Sequence, residues 1–276
     1  LGRSPYGWKL NAYYAGPMLD TVRDRWFGMD SEPPCVYPTR TTDLDADGYD
    51  ELLIVPCNLR SVQIYCLGPD SDSLPDLILH DLVLPSIQIG AWARQIAVGD
   101  FNGDGQQDLV VAQTPQSLSG LNGRLHFFWG AADFDSVPDF TIVRQGANAD
   151  DYDLFGSVMT CPGDLNGDGY DDVFVATAGI DDTAWVYFGG PSLDSIPDVI
   201  IPLYIKHAAQ AGDINGDSYD DLIASYDVSF SGDGRVYIFY GGPQFNGQWD
   251  MRIANWEDSI YQTNFGMAIA GLGDYN

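Results

Sequence analysis

Residues 164–172 read DLNGDGYDD, four aspartates and an asparagine in nine positions. Oxygen-bearing side chains fall at positions 1, 3, 5 and 9, and position 7 offers a backbone carbonyl. In a tightly curled loop these alternate groups converge on one point. Calcium takes about six to eight oxygen ligands at roughly 2.3–2.6 Å, so the set Asp164, Asn166, Asp168, Tyr170 (through its carbonyl) and Asp172 has the chemistry of a calcium loop. Carboxylates this close repel one another unless a cation lies between them. Gly169, at position 6, supplies the left-handed backbone that such a turn needs.

The string recurs. DLDADGYDE (43–51) offers Asp43, Asp45, Asp47, Tyr49 and Glu51. DFNGDGQQD (100–108) offers Asp100, Asn102, Asp104, Gln106 and Asp108. DINGDSYDD (213–221) offers Asp213, Asn215, Asp217, Tyr219 and Asp221, with Ser218 where glycine is wanted. A fifth copy opens at Asp274 and Asn276 and stops at the end of the chain. An Asp/Asn/Gly-rich hairpin can also form without metal, but that reading leaves the acid at position 9 of all four complete copies without a reason. An EF-hand is excluded by position 12, which is Ile54, Val111, Val175 or Ala224 instead of glutamate, and by the residues that follow each loop. Those residues, LLIV, LVVA, VFVA and LIA, read as buried strands.

A second marker keeps the same beat: YYAGPMLDTVRD (13–24), YCLGPDSDSLPD (65–76), FWGAADFDSVPD (128–139), YFGGPSLDSIPD (187–198) and FYGGPQFNGQWD (239–250). Two markers alternating five times define tandem repeats. Each period of roughly 50–60 residues holds an apolar segment, the loop, a strand, a second strand such as VQIYC, LHFFW, AWVYF or VYIFY, a turn and a last short strand. Four strands per period with almost no helical periodicity predict an all-β β-propeller of four-stranded blades, five repeats in a single domain over residues 1–276.

These residues resemble FG-GAP repeats, the calcium-binding blades of integrin α-subunit propellers and of many bacterial surface proteins. Phe155-Gly156 precedes Asp164, and Phe265-Gly266 precedes Asp274, at that family's spacing. Ala91-Trp92 and Tyr204-Ile205 stand where Phe-Gly would be, and the Gly-Ala-Pro expected after the loop is replaced by Val55-Pro56-Cys57, Gln113-Thr114-Pro115 or Ala178-Gly179. The resemblance implies a segment of a seven-bladed propeller; a five-bladed ring and a unit completed head-to-tail by a neighbouring copy are the alternatives. The chain opens at Leu1 rather than Met, as a processed or excerpted chain would.

Lys+Arg number 12 against Asp+Glu 40, a formal charge of −28. Such a chain repels nucleic acid and anionic membrane and attracts divalent cations. No run of 18 apolar residues suits a membrane span, and no Asn-x-Ser/Thr sequon occurs. Cys35, Cys57, Cys66 and Cys161 allow three full pairings; a Cys35–Cys57 disulfide across the first loop is favoured, with buried free thiols as the other reading. His80, His126 and His207 show no metal or catalytic spacing, and no nucleophile motif or phosphate loop is present. The expectation is a non-enzymatic, secreted or cell-surface module holding about four Ca²⁺, five if the last loop is completed. It would serve binding, adhesion or extracellular assembly through a protein or glycan ligand. The alternative is a carbohydrate-binding or polysaccharide-active propeller, with Trp8, Trp26, Trp249 or Trp256 at a sugar-binding rim.

Overall fold

The computed structural model describes residues 2–4, 7–12, 25–29, 36–56, 61–67, 74–80, 96–114, 122–144, 154–177, 183–226, 234–254 and 265–271. Among these there is no helix. Nineteen strands form five antiparallel sheets. The first sheet has three strands, β1 (Gly2–Ser4), β2 (Gly7–Ala12) and β3 (Arg25–Met29). The second is β4 (Val36–Thr42), β5 (Glu51–Pro56), β6 (Ser61–Cys66) and β7 (Leu77–His80). The third is β8 (Ile96–Gly99), β9 (Asp108–Gln113), β10 (Arg124–Phe128) and β11 (Phe140–Val143). The fourth is β12 (Phe155–Gly163), β13 (Asp172–Thr177), β14 (Ala184–Tyr187) and β15 (Val199–Ile201). The fifth is β16 (His207–Gly212), β17 (Asp221–Tyr226), β18 (Arg235–Phe239) and β19 (Met251–Ala254). Each four-stranded sheet is a simple meander, the blade of a β-propeller. Among the described residues each sheet is open and no strand pairing joins one sheet to another.

The strands pack as their sequences require. β9 and β13 are buried at every position, because a neighbouring blade covers each of their faces. That is why LVVA and VFVA are unbroken apolar runs instead of alternating ones. Three core clusters lie between successive blades. Leu53, Val62 and Leu79 of the second sheet meet Val98, Leu109 and Phe128 of the third. Phe101, Val110 and Phe127 meet Phe155, Val173 and Tyr187 of the fourth. Phe174, Val186 and Ile201 meet Leu222, Tyr237 and Phe239 of the fifth.

The Phe-Gly pair marks where a new blade docks on the last. Phe155 is fully buried. The Thr114 hydroxyl donates to its carbonyl at 3.1 Å, and a Cβ on Gly156 would sit 2.7 Å from that of Ala112. Gly266 lies against Ser225 as Gly156 lies against Ala112, a Cβ there falling 3.2 Å from that of Ser225, and its own carbonyl accepts from the Ser225 hydroxyl at 2.6 Å.

Each of the four complete acidic loops joins the first and second strands of its blade. Residues 43–50 link β4 to β5, 100–107 link β8 to β9, 164–171 link β12 to β13 and 213–220 link β16 to β17. The loops therefore all lie at one end of the meanders. They also touch. The ring of Tyr170, at position 7 of its loop, covers Gly103 at position 4 of the preceding loop so closely that a Cβ there would lie 2.2 Å from the ring. Tyr219 covers Gly167 in the same way, again at 2.2 Å. Positions 4 and 6 are both left-handed, with φ of +77° and +86° in the second loop and +81° and +73° in the fourth. Sequence reading anticipated this at position 6, including the strain at Ser218, which adopts φ +73°. It did not anticipate position 4, where Ala46 takes φ +59° in the first loop. The next loop there carries Gln106 in place of tyrosine, so no ring presses on the methyl group.

His126 on β10 is buried, bonded through Nδ1 to the Thr141 hydroxyl and through Nε2 to the Gln113 side-chain oxygen, both at 3.1 Å. Burial first, then the Arg124 charge, lowers its pKa from 6.5 to about 4.

Gly167→Ala should lower unfolding free energy by about 2–3 kcal/mol in urea titrations, since it adds a steric clash to a left-handed backbone, whereas Ser218→Gly should raise it by about 1 kcal/mol. The neutral His126 stabilises the fold fully above its unfolded pKa of 6.5, and that contribution is lost as pH falls toward about 4. Chemical denaturation of wild type and His126→Gln at pH 7 and pH 4 should show the wild-type advantage shrinking by up to about 3 kcal/mol at the lower pH.

Candidate metal centres

Within the second, third and fourth loops the geometry is nearly superimposable. In the third, Asp164 Oδ1 accepts the N–H of Gly167 at 2.7 Å and of Asp168 at 3.1 Å, and Oδ2 accepts Gly169 N–H at 2.8 Å. Asn166 Oδ1 accepts Asp168 N–H at 2.9 Å, and Asp168 Oδ1 accepts Tyr170 N–H at 3.1 Å. Asn166 also donates through Nδ2 to Asp168 Oδ2 at 2.9 Å. Asp100, Asn102 and Asp104 repeat the pattern, with Gln106 N–H as the last donor. Asp213, Asn215 and Asp217 repeat it with Tyr219. Positions 1, 3 and 5 are thereby turned onto one short stretch of backbone. Each carboxylate oxygen has two lone pairs, so a bound cation and a backbone N–H can share it. The N–H groups favour the charged form; at Asp213 the Ser218 N–H leads in lowering the pKa.

Position 9 is the buried member. Asp108, Asp172 and Asp221 are fully buried. One oxygen of each reaches back into its own loop, accepting Phe101 N–H at 2.9 Å, Leu165 N–H at 2.8 Å or Ile214 N–H at 2.9 Å. The other oxygen accepts the N–H of Gly130, Gly189 or Gly241, beyond the third strand, at 2.8–3.0 Å. Position 9 thus fastens the loop to its blade. Burial raises these carboxyls, Asp108 to about 7 and Asp172 to about 8, the N–H donors only partly opposing it. Asp221 is raised for the same cause. A divalent cation nearby would draw all three down.

The first loop differs. Asp43, Asp45 and Asp47 place carboxylate oxygens within 4.8 Å of one another. Glu51 Oε2 accepts Leu44 N–H at 2.6 Å, but Glu51 Oε1 and Asp43 Oδ1 are buried and accept no hydrogen bond. Two orphaned carboxylate oxygens facing an acidic loop are what a divalent cation would satisfy, so the residues present fit such an ion. Burial, and then neighbouring charges, raise Glu51 to about 7. Asp274 and Asn276, expected to open a fifth loop, lie outside the described residues, as do Cys35 and Cys57 of the favoured disulfide.

Three groups were not picked out from the sequence. Asp171 and Asp220, at position 8, link the loops: Asp171 Oδ2 accepts Asp100 N–H at 2.8 Å, and Asp220 Oδ2 accepts Asp164 N–H at 3.1 Å. The backbone returns the contact, Asp171 N–H donating to the Asp100 carbonyl at 3.0 Å. Their adjacency to position 9 hid them, because one acid there was already explained. The last aspartate of the second marker was also unassigned. Asp76, Asp139, Asp198 and Asp250 each accept a backbone N–H ten residues back, from Cys66, Trp129, Phe188 and Tyr240, all at 2.8 Å. They close the connection from third to fourth strand. Last, Cys66 lies beside Asp45 and Glu51, its Sγ within 4.8 Å of their oxygens.

A family profile described as an FG-GAP-like repeat matches residues 43–111 and 164–224, each match beginning at the first aspartate of a loop. Integrin alpha-5 of Xenopus laevis is 30% identical over 169 residues, which are 56% of this chain and 16% of that protein. Integrin alpha-IIb of Mus musculus is 32% identical over 108 residues, 37% of this chain and 9% of that protein. The chain thus spans less than a fifth of the length of either relative. Among solved structures, the V. cholerae biofilm matrix protein Bap1 overlaps 78% of this chain and 28% of its own at a TM-score of 0.43 and 17% identity. The exotype rhamnogalacturonan lyase YesX overlaps 84% of this chain and 49% of its own at a TM-score of 0.45 and 15% identity. Nothing about function follows from overlaps so distant. The repeat profile falls on the loops and strands described above, and together with the similarity to integrin alpha chains it supports an FG-GAP, integrin α-like family for this chain.

Proposed function

We propose that the chain is a calcium-stabilised propeller, or a segment of one, that works outside the cell or at its surface as a binding or adhesion module. The observation that carries this reading is the repeated loop. Side-chain oxygens at positions 1, 3 and 5 are gathered onto one turn, with a buried acid at position 9, in blade after blade. Calcium would use Asp, Asn and main-chain oxygens of each loop, about four ions in all, and would supply rigidity and charge compensation. Weak modular calcium sites fill at about the millimolar concentrations found outside cells. The adhesion reading draws on kinship with integrin alpha chains. A non-enzymatic role agrees with His126 being held as a neutral packing residue. No helix among the described residues is long and apolar enough to cross a membrane.

One feature favours a second reading, a saccharide ligand. Gln106 replaces the tyrosine found at position 7 of the other loops. In the fourth blade that position holds Tyr170, whose ring covers Gly190. In the third blade a hollow of about 420 Å³ remains, lined by Asn102, Asp104, Gln106, Trp129, Phe134 and Asp139 among others. Amide and carboxylate acceptors beside an indole suit a hydroxyl-rich ligand, and the negative charge disfavours an anionic one.

Chelation with EDTA should lower the melting temperature and calcium should restore it, each ion adding about 2.7 kcal/mol at a hundredfold excess over Kd. An unchanged melt would remove the calcium reading. By calorimetry, Asp164→Ala should lose one ion while the other loops keep theirs. On a glycan array, neutral saccharide binding that disappears in Gln106→Tyr would support the second reading, and no binding by wild type would end it.

A further inference from the structure

The first loop departs from its three siblings at three positions that meet in space. Position 3 is Asp45 where the others have asparagine, and position 9 is Glu51 where the others have aspartate. The third departure is Cys66. Its backbone N–H donates to Asp76 just as those of Trp129, Phe188 and Tyr240 donate to their own aspartates, so cysteine occupies a site that is aromatic in every other described blade. Glu51 and Cys66 are direct cross-strand partners of β5 and β6, which places their side chains on the same face.

The hydrogen bonding changes with the residues. In the siblings the second oxygen of position 9 is taken by a glycine N–H. Glu51 Oε1 has no such donor, although the side chain is only 2% exposed. It is an unpartnered buried oxygen beside a thiol. The ligand atoms of Asp45, Glu51 and Cys66 all lie within 4.8 Å of one another, and Asp43 Oδ1, also buried without a partner, belongs to the same loop. Tetrahedral zinc, with Zn–S about 2.3 Å and Zn–O about 2.1 Å, sets its ligands roughly 3.3–3.7 Å apart, so modest side-chain movement closes the shell.

We infer that the first loop is a mixed oxygen–sulfur site for a thiophilic divalent ion of the zinc class, with Cys66 Sγ, Glu51 Oε1 and Asp45 as ligands. Calcium has little affinity for sulfur, whereas zinc and cadmium take thiolate and carboxylate together. As the metal–sulfur bond forms, the thiol proton leaves to solvent. Calcium then occupies this loop only where such an ion is absent, and the other three loops, which have no sulfur ligand, keep their preference for it.

Cadmium reports the bond directly, through thiolate-to-metal charge-transfer absorption in the ultraviolet. The full chain is stripped with chelator, returned to saturating calcium and titrated with Cd²⁺. A band saturating at one equivalent is expected, lost in Cys66→Ser and kept in Cys161→Ser. Glu51→Gln should retain the thiol and weaken cadmium binding about tenfold or more. Under the same saturating calcium, zinc should raise the melting temperature of wild type and not of Cys66→Ser. A band of equal intensity in Cys66→Ser, or none in wild type, overturns the assignment. The calcium-dependent melt of Cys66→Ser shows whether that variant folds; should it not, the cadmium titration of Glu51→Gln decides alone, and unaltered affinity there also overturns the assignment. Failure of the calcium reading would appear separately, as a melt indifferent to EDTA and calcium in a protein that still gives the cadmium band.

Discussion

Several carboxylates at the tip of one hairpin are tolerable only if something positive meets every oxygen. Here backbone N–H groups do much of that work. The position 1 aspartate alone collects three, and the left-handed residues at positions 4 and 6 are what turn those N–H groups inward. The curl of the loop, the glycines in it and the alternation of its acids are one solution to one electrostatic problem. A cation completes it where lone pairs remain, most visibly at Asp43 and Glu51.

The same need reaches beyond the single loop. Position 9 borrows an N–H from the far side of its blade, and position 8 borrows one from the loop before it. Carboxylates of the second marker close the outer connection by the same device. Several of the acids behind the chain's charge of −28 are therefore engaged by main-chain N–H groups of their own blade or of the neighbouring loop. This tempers any inference from composition alone: an acid that binds a main-chain N–H and an acid that binds a metal look alike in a sequence.

Spacing within a repeat was legible; relations between repeats were not. The four-stranded blades, the position of each loop between first and second strands, and the left-handed Ser218 could all be read from residue type and interval. The tyrosine at position 7 was assigned only a main-chain carbonyl, because nothing in its own loop asks for a ring; its partner is a glycine some sixty residues earlier in the neighbouring blade. Asp171 and Asp220 likewise find their partners in the preceding loop. Cys66 was weighed as one of four cysteines to be paired, when its significance lies in the cross-strand neighbour that β-sheet register gives it.

The packing of Tyr170 on Gly103 and of Tyr219 on Gly167 has a consequence for how such a chain can evolve. The third repeat carries half of each contact, an aromatic plate facing backward and a bare backbone facing forward. Shuffling, duplicating or deleting one unit therefore creates a junction that has to match. The unit bearing Ala46 tolerates as its successor only one without the plate, and the successor it has carries Gln106. Neighbouring units in such a lineage drift as couples, and the order of repeats is itself inherited information.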